Sequence, residues 1–220
     1  MDEIQQLVSG FRRFQHKYFG EHGLFEQLKQ RQQPRVLVIG CTDSRVTPEL
    51  LTDCDPGELF VVRNIANLVP PFEPDSSRHG ISSAIEYAVC DLQVRRIIVL
   101  GHSNCGGIAA LVKGREARSE TDFVGRWMSI AAPVRDRIIS ELHDRPLIEQ
   151  IHACELASIV ASIENLKTFP FVAQRLAAGE IGLIGWYFDI GEGSLSGLDQ
   201  RSGRFSQLAR PPRRYGDDHS

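Results

Sequence analysis

Ile97-Ile98-Val99-Leu100-Gly101-His102-Ser103-Asn104-Cys105 decides how this chain is read. An apolar run with no alternation is the mark of a β-strand covered on both faces. Here it ends in a glycine and then presents an imidazole and a thiol three residues apart. The same construction occurs upstream, where Val36-Leu37-Val38-Ile39-Gly40 leads into Cys41. In parallel α/β sheets, ligands bind beyond the carboxyl ends of the strands. Cys41, His102 and Cys105 all fall there, and adjacent strands would bring them together. Two thiolates and one imidazole are the donor set of a three-ligand zinc site that keeps a fourth position open for chemistry. Gly101, Gly106 and Gly107 are expected to let the backbone turn tightly beside the metal.

Working outward, strands are predicted over 35–40, 58–63, 95–101 and 181–189. Helical periodicity marks 80–92, 106–112, 121–142, 147–166 and 169–178. This alternation implies an α/β fold, a mainly parallel central sheet flanked by helices. Leu195 to Asp199 and Arg204-Phe205 read as an edge hairpin. Ahead of the sheet, residues 3–31 form a helical arm broken at Gly20 to Gly23, with Leu7, Phe11, Phe14 and Tyr18 on one side. So aromatic an arm packs on its own core or at a subunit interface. The expected organisation is a single zinc-enzyme domain over 1–208, its arm (1–31) a dimer contact, and a disordered tail over 209–220.

Asp43 and Arg45 follow the first thiol in Cys41-Thr42-Asp43-Ser44-Arg45. Two thiolates cancel the formal charge of zinc, which makes it a weaker Lewis acid than zinc held by three imidazoles. A carboxylate accepting a hydrogen bond from the metal's water would hold and orient hydroxide, and an arginine fork would keep that carboxylate ionised and aimed.

Taken in order, Cys41-Thr42-Asp43-Ser44-Arg45-Val46, Val62-Arg63-Asn64-Ile65-Ala66-Asn67, Ile85-Glu86-Tyr87-Ala88-Val89 and Gly101-His102-Ser103-Asn104-Cys105-Gly106-Gly107 resemble the β-class carbonic anhydrases. The resemblance runs from about residue 24 to 190. It implies one zinc ion per subunit, homodimers or higher homo-oligomers, and reversible hydration of carbon dioxide to bicarbonate and a proton by attack of zinc-bound hydroxide. By the same resemblance Cys41, His102 and Cys105 are the metal ligands and Asp43 and Arg45 the catalytic dyad. Gln32, Phe60, Ile65 and Tyr87 match the substrate pocket of the plant-like subgroup. A gated subgroup carries a tryptophan, an arginine and a tyrosine around a noncatalytic bicarbonate site. The matching positions here are Val38, Arg63 and Phe188, so an ungated site is expected. The alternative on the same fold is hydrolysis of carbonyl sulfide or carbon disulfide. A zinc-free thiol enzyme, with Cys41 as nucleophile and His102 as base, leaves Cys105 without a role.

The bulk properties agree with a cytoplasmic enzyme. The 220 residues carry a net charge of −3, with 42% hydrophobic and 24% charged residues, which points to no nucleic-acid partner. No stretch approaches the roughly 20 apolar residues of a membrane span, and acids at Asp2 and Glu3 stand where a secretory signal has bases. Five cysteines, an odd count, argue against a full disulfide framework. Cys90 and Cys154 are expected in the core, and Cys54 lacks a ligand partner. His16, His22, His79, His143, His152 and His219 are assigned to surface or packing.

Overall fold

The computed structural model describes residues 2–20, 23–75, 78–114 and 116–211. The chain separates into two units, residues 1–33 and 34–220.

In the first unit, α1 (Glu3–Tyr18) begins where the Asp2 side chain accepts the Ile4 N–H at 3.2 Å, satisfying a donor that has no partner in the first turn. α2 (Leu24–Leu28) follows the expected glycine break; Glu21 and His22 lie outside the described residues. The aromatic side chains pack on one another, Phe14 against Tyr18 at 4.9 Å and Phe19 stacked on Phe25 at 4.6 Å. No residue of α1 is buried, and Ile4, Leu7 and Phe11 are 60%, 69% and 56% exposed.

The second unit runs β1 (Val36–Cys41), α3 (Pro48–Leu51), β2 (Leu59–Asn64), α4 (Gly80–Glu86), β3 (Arg96–His102), α5 (Gly106–Lys113), α6 (Phe123–Met128), α7 (Ala132–Glu141), α8 (Leu147–Lys167), α9 (Pro170–Ala177), β4 (Gly182–Asp189), β5 (Ser194–Asp199) and β6 (Arg204–Ala209). The strands form one six-stranded sheet in the order β2-β1-β3-β4-β5-β6. The first four are parallel, and β5 and β6 close it as the expected antiparallel hairpin. Of the tail expected over 209–220, Ala209 closes β6 and residues 212–220 lie outside the described residues.

Strand alternation divides the core. Leu37, Ile39, Ile97 and Val99 point to one face, against Ile159, Ile163 and Leu166 of α8. Val38, Ile98 and Leu100 point to the other, against Ile184, Trp186 and Phe188. Burying each of these aliphatic side chains contributes about 1.5–3 kcal/mol. A third cluster joins Cys41 and Cys105 to apolar residues of α5 to α8, so helices roof the carboxyl ends of β1 and β3.

Four sequence expectations are corrected. The helix predicted over 121–142 is two helices with a tight turn at Ser129–Ala131 between them, because Pro133 in the first turn of α7 has no N–H to continue an upstream helix. The helix expected over 80–92 passes into a π-helical turn over Tyr87–Asp91, where the Leu92 N–H donates to the Tyr87 carbonyl at 3.0 Å. Cys90 is exposed rather than core, because Ile85, Ala88 and Val89 occupy the buried side of that segment; Cys154 is fully buried, as expected.

The fourth correction concerns the glycines. A Cβ on Gly101 would meet Ile159 Cδ1 at 2.6 Å, and one on Gly107 would meet Ile65 Cγ2 at 2.8 Å, whereas one on Gly106 would enter open space. Two of these glycines therefore admit close packing beside the site. The left-handed residue of the ligand loop is Asn104, at φ 56°, a conformation asparagine tolerates.

Candidate metal centre

β1 and β3 are hydrogen-bonded neighbours paired through Gly40↔Leu100. That register brings Cys41 level with Gly101, one residue before His102, at the carboxyl edge, and the turn through Ser103 and Asn104 returns Cys105 to them. The donor atoms of Cys41, His102 and Cys105 all lie within 4.8 Å of one another, and all three residues are buried.

The imidazole shows which atom is offered. His102 Nδ1 lies 2.9 Å from the Ser103 carbonyl. A carbonyl only accepts, so Nδ1 carries the proton and Nε2 keeps its lone pair. Nε2 is buried without a hydrogen-bond partner, an arrangement that costs free energy unless a Lewis acid fills it. The thiols agree. Cys41 is held well below the usual thiol range, first by the hydrogen bond from Cys105 and then by His102 and the N–H groups of Asp43 and Ala66. The resulting charge and burial push the Cys105 thiol up, against the N–H groups of Ile108 and Gly107. Without a cation only one of the pair ionises; a dication lets both do so. Donor set, orphaned nitrogen and thiolate electrostatics together fit zinc.

Asp43 and Arg45, the residues expected as a dyad, form an ion pair. Arg45 Nε donates to Asp43 Oδ1 at 2.9 Å and Nη2 to Oδ2 at 2.7 Å. The Arg45 N–H also reaches Oδ1 at 3.0 Å, and Nη2 reaches the Asn104 carbonyl at 3.2 Å, tying this loop to the ligand turn. The Arg45 hydrogen bond holds the Asp43 carboxyl far below the usual carboxylate range. Arg63 stands opposite Gly40 in β2. Its guanidinium donates to the carbonyls of Cys41 at 2.9 Å and Asp43 at 2.7 Å, shaping the loop that carries both.

Of the predicted pocket residues in the second unit, Ile65 stands just past the carboxyl end of β2 and Phe60 near its start. Ile65 follows β2 at the ligand end; its carbonyl accepts the Trp127 indole N–H at 2.8 Å, and it helps line a cavity of about 280 Å³ with Asn64, Ile81, Phe123 and Trp127. Phe60 and Tyr87 pair with each other at 5.9 Å. Phe60 is opposite Leu37, four residues before Cys41, which is about 13 Å along the strand. Tyr87 is 44% exposed. Gln32 is exposed in the first unit.

Sequence reading missed Glu155 and Tyr187. Buried Glu155 accepts the Cys105 N–H on Oε1 at 2.9 Å and the Tyr187 hydroxyl on Oε2 at 2.8 Å. Burial, then the Glu155 charge, push the phenol upward, so it stays protonated and donates. His152, assigned to surface or packing, lies 3.0 Å from that hydroxyl through Nδ1. The available signal was an acid on the inward stripe of α8, between Ile151 and Ile159.

Comparison with known proteins agrees with the geometry. A family model described as carbonic anhydrase matches residues 36–195. A carbonic anhydrase of Pseudomonas aeruginosa is 38% identical over 95% of this chain and 94% of its own. The solved beta-carbonic anhydrase CcaA is 34% identical, with a TM-score of 0.87 over 94% of this chain and 100% of that one. A structure from Sordaria macrospora, one of two described as tetrameric beta-carbonic anhydrases, is 29% identical, with a TM-score of 0.71 over 94% of both chains.

Proposed function

The chain belongs to the β-carbonic anhydrase family and catalyses zinc-dependent, reversible hydration of carbon dioxide, and we propose that Asp43 and Arg45 form its catalytic dyad in a site that stays open at neutral pH. The observation that carries the reading is the buried, unpartnered Nε2 of His102 beside two thiols.

Zinc held by Cys41, His102 and Cys105 supplies Lewis acidity, which makes water a nucleophile near neutral pH. Backbone N–H groups of Asp43 and Ala66 at Cys41, and of Gly107 and Ile108 at Cys105, draw charge from the thiolates and offset the weakening they impose. Asp43, kept ionised by Arg45, accepts a hydrogen bond from the attacking water and aims its lone pair at the substrate carbon. Ile65 walls the small apolar space that holds carbon dioxide.

Phe60 and Tyr87 complete the pocket of a second copy rather than their own. Supporting this are their separation along the strand from Cys41, the edge position of β2 and the exposure of Tyr87. A homodimer or higher homo-oligomer follows, with the exposed apolar face of α1 in the arm as a contact. The ungated reading is supported by Arg63, committed to two loop carbonyls, and by Phe188, which lines a largely apolar cavity of about 230 Å³ with Leu51, Leu100, Trp186 and Leu195. A cytoplasmic location fits five free cysteines; among the described residues, no helix is long and apolar enough to cross a membrane.

Zinc analysis beside hydration kinetics tests the reading. Wild type holds one zinc per subunit, and His102→Ala loses metal and activity together. Full hydration by metal-free protein would overturn it.

A further inference from the structure

We propose that Glu155 is a positioning residue for the metal site, fixing the Cys105 ligand from helix α8. The inference rests on the zinc reading above. Cys105 is the N-cap of α5, so its N–H has no acceptor within the helix, and the residue is only 2% exposed. That N–H goes to Glu155 Oε1 at 2.9 Å, across 50 residues of chain.

The second carboxylate oxygen is anchored separately. Glu155 Oε2 takes the Tyr187 hydroxyl at 2.8 Å, and Tyr187 sits on β4 opposite Gly101, one pair before His102↔Phe188. With the phenol proton committed to Glu155, the His152 Nδ1–H donates to the phenol oxygen across 3.0 Å. A hydrogen-bonded chain thus runs from a half-exposed imidazole through a phenol and a buried carboxylate to the backbone of a metal ligand.

Glu155 joins the ligand turn, α8 and β4, the segments that fix where the Cys105 sulfur stands relative to His102. Only a carboxylate offers an acceptor to both donors. An amide keeps one oxygen, and its NH₂ cannot accept from the phenol. Groups that orient metal ligands from behind typically change affinity or activity 10- to 100-fold when removed.

The experiment compares Glu155→Ala and Glu155→Gln with Ser158→Ala. Ser158 is a buried polar residue on the same helix whose hydroxyl bonds the Cys154 carbonyl at 2.7 Å, so it controls for loss of a buried hydrogen bond. Zinc affinity is read by competition with a chelating dye, and ligand geometry by the thiolate-to-metal absorption band of cobalt-substituted protein. Glu155→Ala is expected to bind zinc about 10- to 100-fold more weakly with a shifted cobalt band, Glu155→Gln to show a smaller loss, and Ser158→Ala to match wild type. Folded Glu155→Ala with wild-type zinc affinity and an unshifted band overturns the proposal, as does an equal loss in Ser158→Ala. Should Glu155→Ala not fold, Glu155→Gln decides by the same two readouts. Wild-type protein that binds no zinc would instead overturn the metal reading.

Discussion

Arg45 closes a two-point fork on Asp43, Nε to Oδ1 at 2.9 Å and Nη2 to Oδ2 at 2.7 Å. The pair is partly open to solvent, with side-chain exposures of 50% and 17%, so its consequence is aim and ionisation more than stability. Asp43→Asn keeps the shape and removes the charge. Zinc content should stay at the wild-type level while kcat falls on the order of 10²-fold, the scale of a lost proton-acceptor role. Arg45→Lys should also lose rate, because a single ammonium cannot reproduce the planar fork. Full activity in Asp43→Asn removes the dyad.

The same fork sets the pH behaviour. A carboxyl whose pKa is lowered in the folded protein stabilises it above the unfolded value of about 3.9 and loses that contribution only as pH falls below it. Asp43 is held low by Arg45, so it does not change charge between pH 6 and 9. The rate profile over that range should rise through a single inflection. A second, acidic inflection above pH 5 that disappears in Asp43→Asn would contradict this.

Gly101 and Gly106 separate two meanings of glycine at one site. Gly101→Ala drives a methyl into Ile159 Cδ1 at 2.6 Å and should destabilise the protein by about 1–3 kcal/mol. Gly106→Ala enters open space at the first position of α5 and should be neutral or stabilising by up to about 1 kcal/mol. Urea unfolding of the two variants checks the contrast; equal effects would mean the approach of α8 to β3 is looser than described.

Mixed oligomers test whether the pocket is shared. Co-expressed subunits carrying Tyr87→Ala and Cys41→Ser, separately tagged, would place an intact metal set beside an intact Tyr87 at one of the two sites. Hybrids should recover about half of the wild-type activity per dimer, although each parent is impaired. Hybrids no more active than the Tyr87→Ala parent would place Tyr87 in its own subunit's site or outside the pocket.

How far the sequence could be read follows from how local each signal is. β1 and β3 were legible because burial on both faces leaves unbroken apolar runs. Cys41, His102 and Cys105 followed from their places at the ends of those runs. Arg63 was visible as a residue, but its task depends on the Gly40↔Arg63 register, which no local pattern encodes. Glu155 and Tyr187 meet the ligand turn only after α8 and β4 pack beside it, and one acid on an apolar stripe has many bland explanations. Cys90 was misplaced because Ile85, Ala88 and Val89 fill the inward side of its segment, a choice made by packing. Gly106 was misread because a glycine beside two close-packed ones looks the same in sequence.

Stopped-flow carbon dioxide hydration by protein of verified zinc content, at pH 7 and pH 8.5, bears most directly on the enzyme described here. An ungated β-carbonic anhydrase turns over rapidly at both values. Activity at pH 8.5 alone would contradict the open site, and no turnover at either would contradict the hydratase itself.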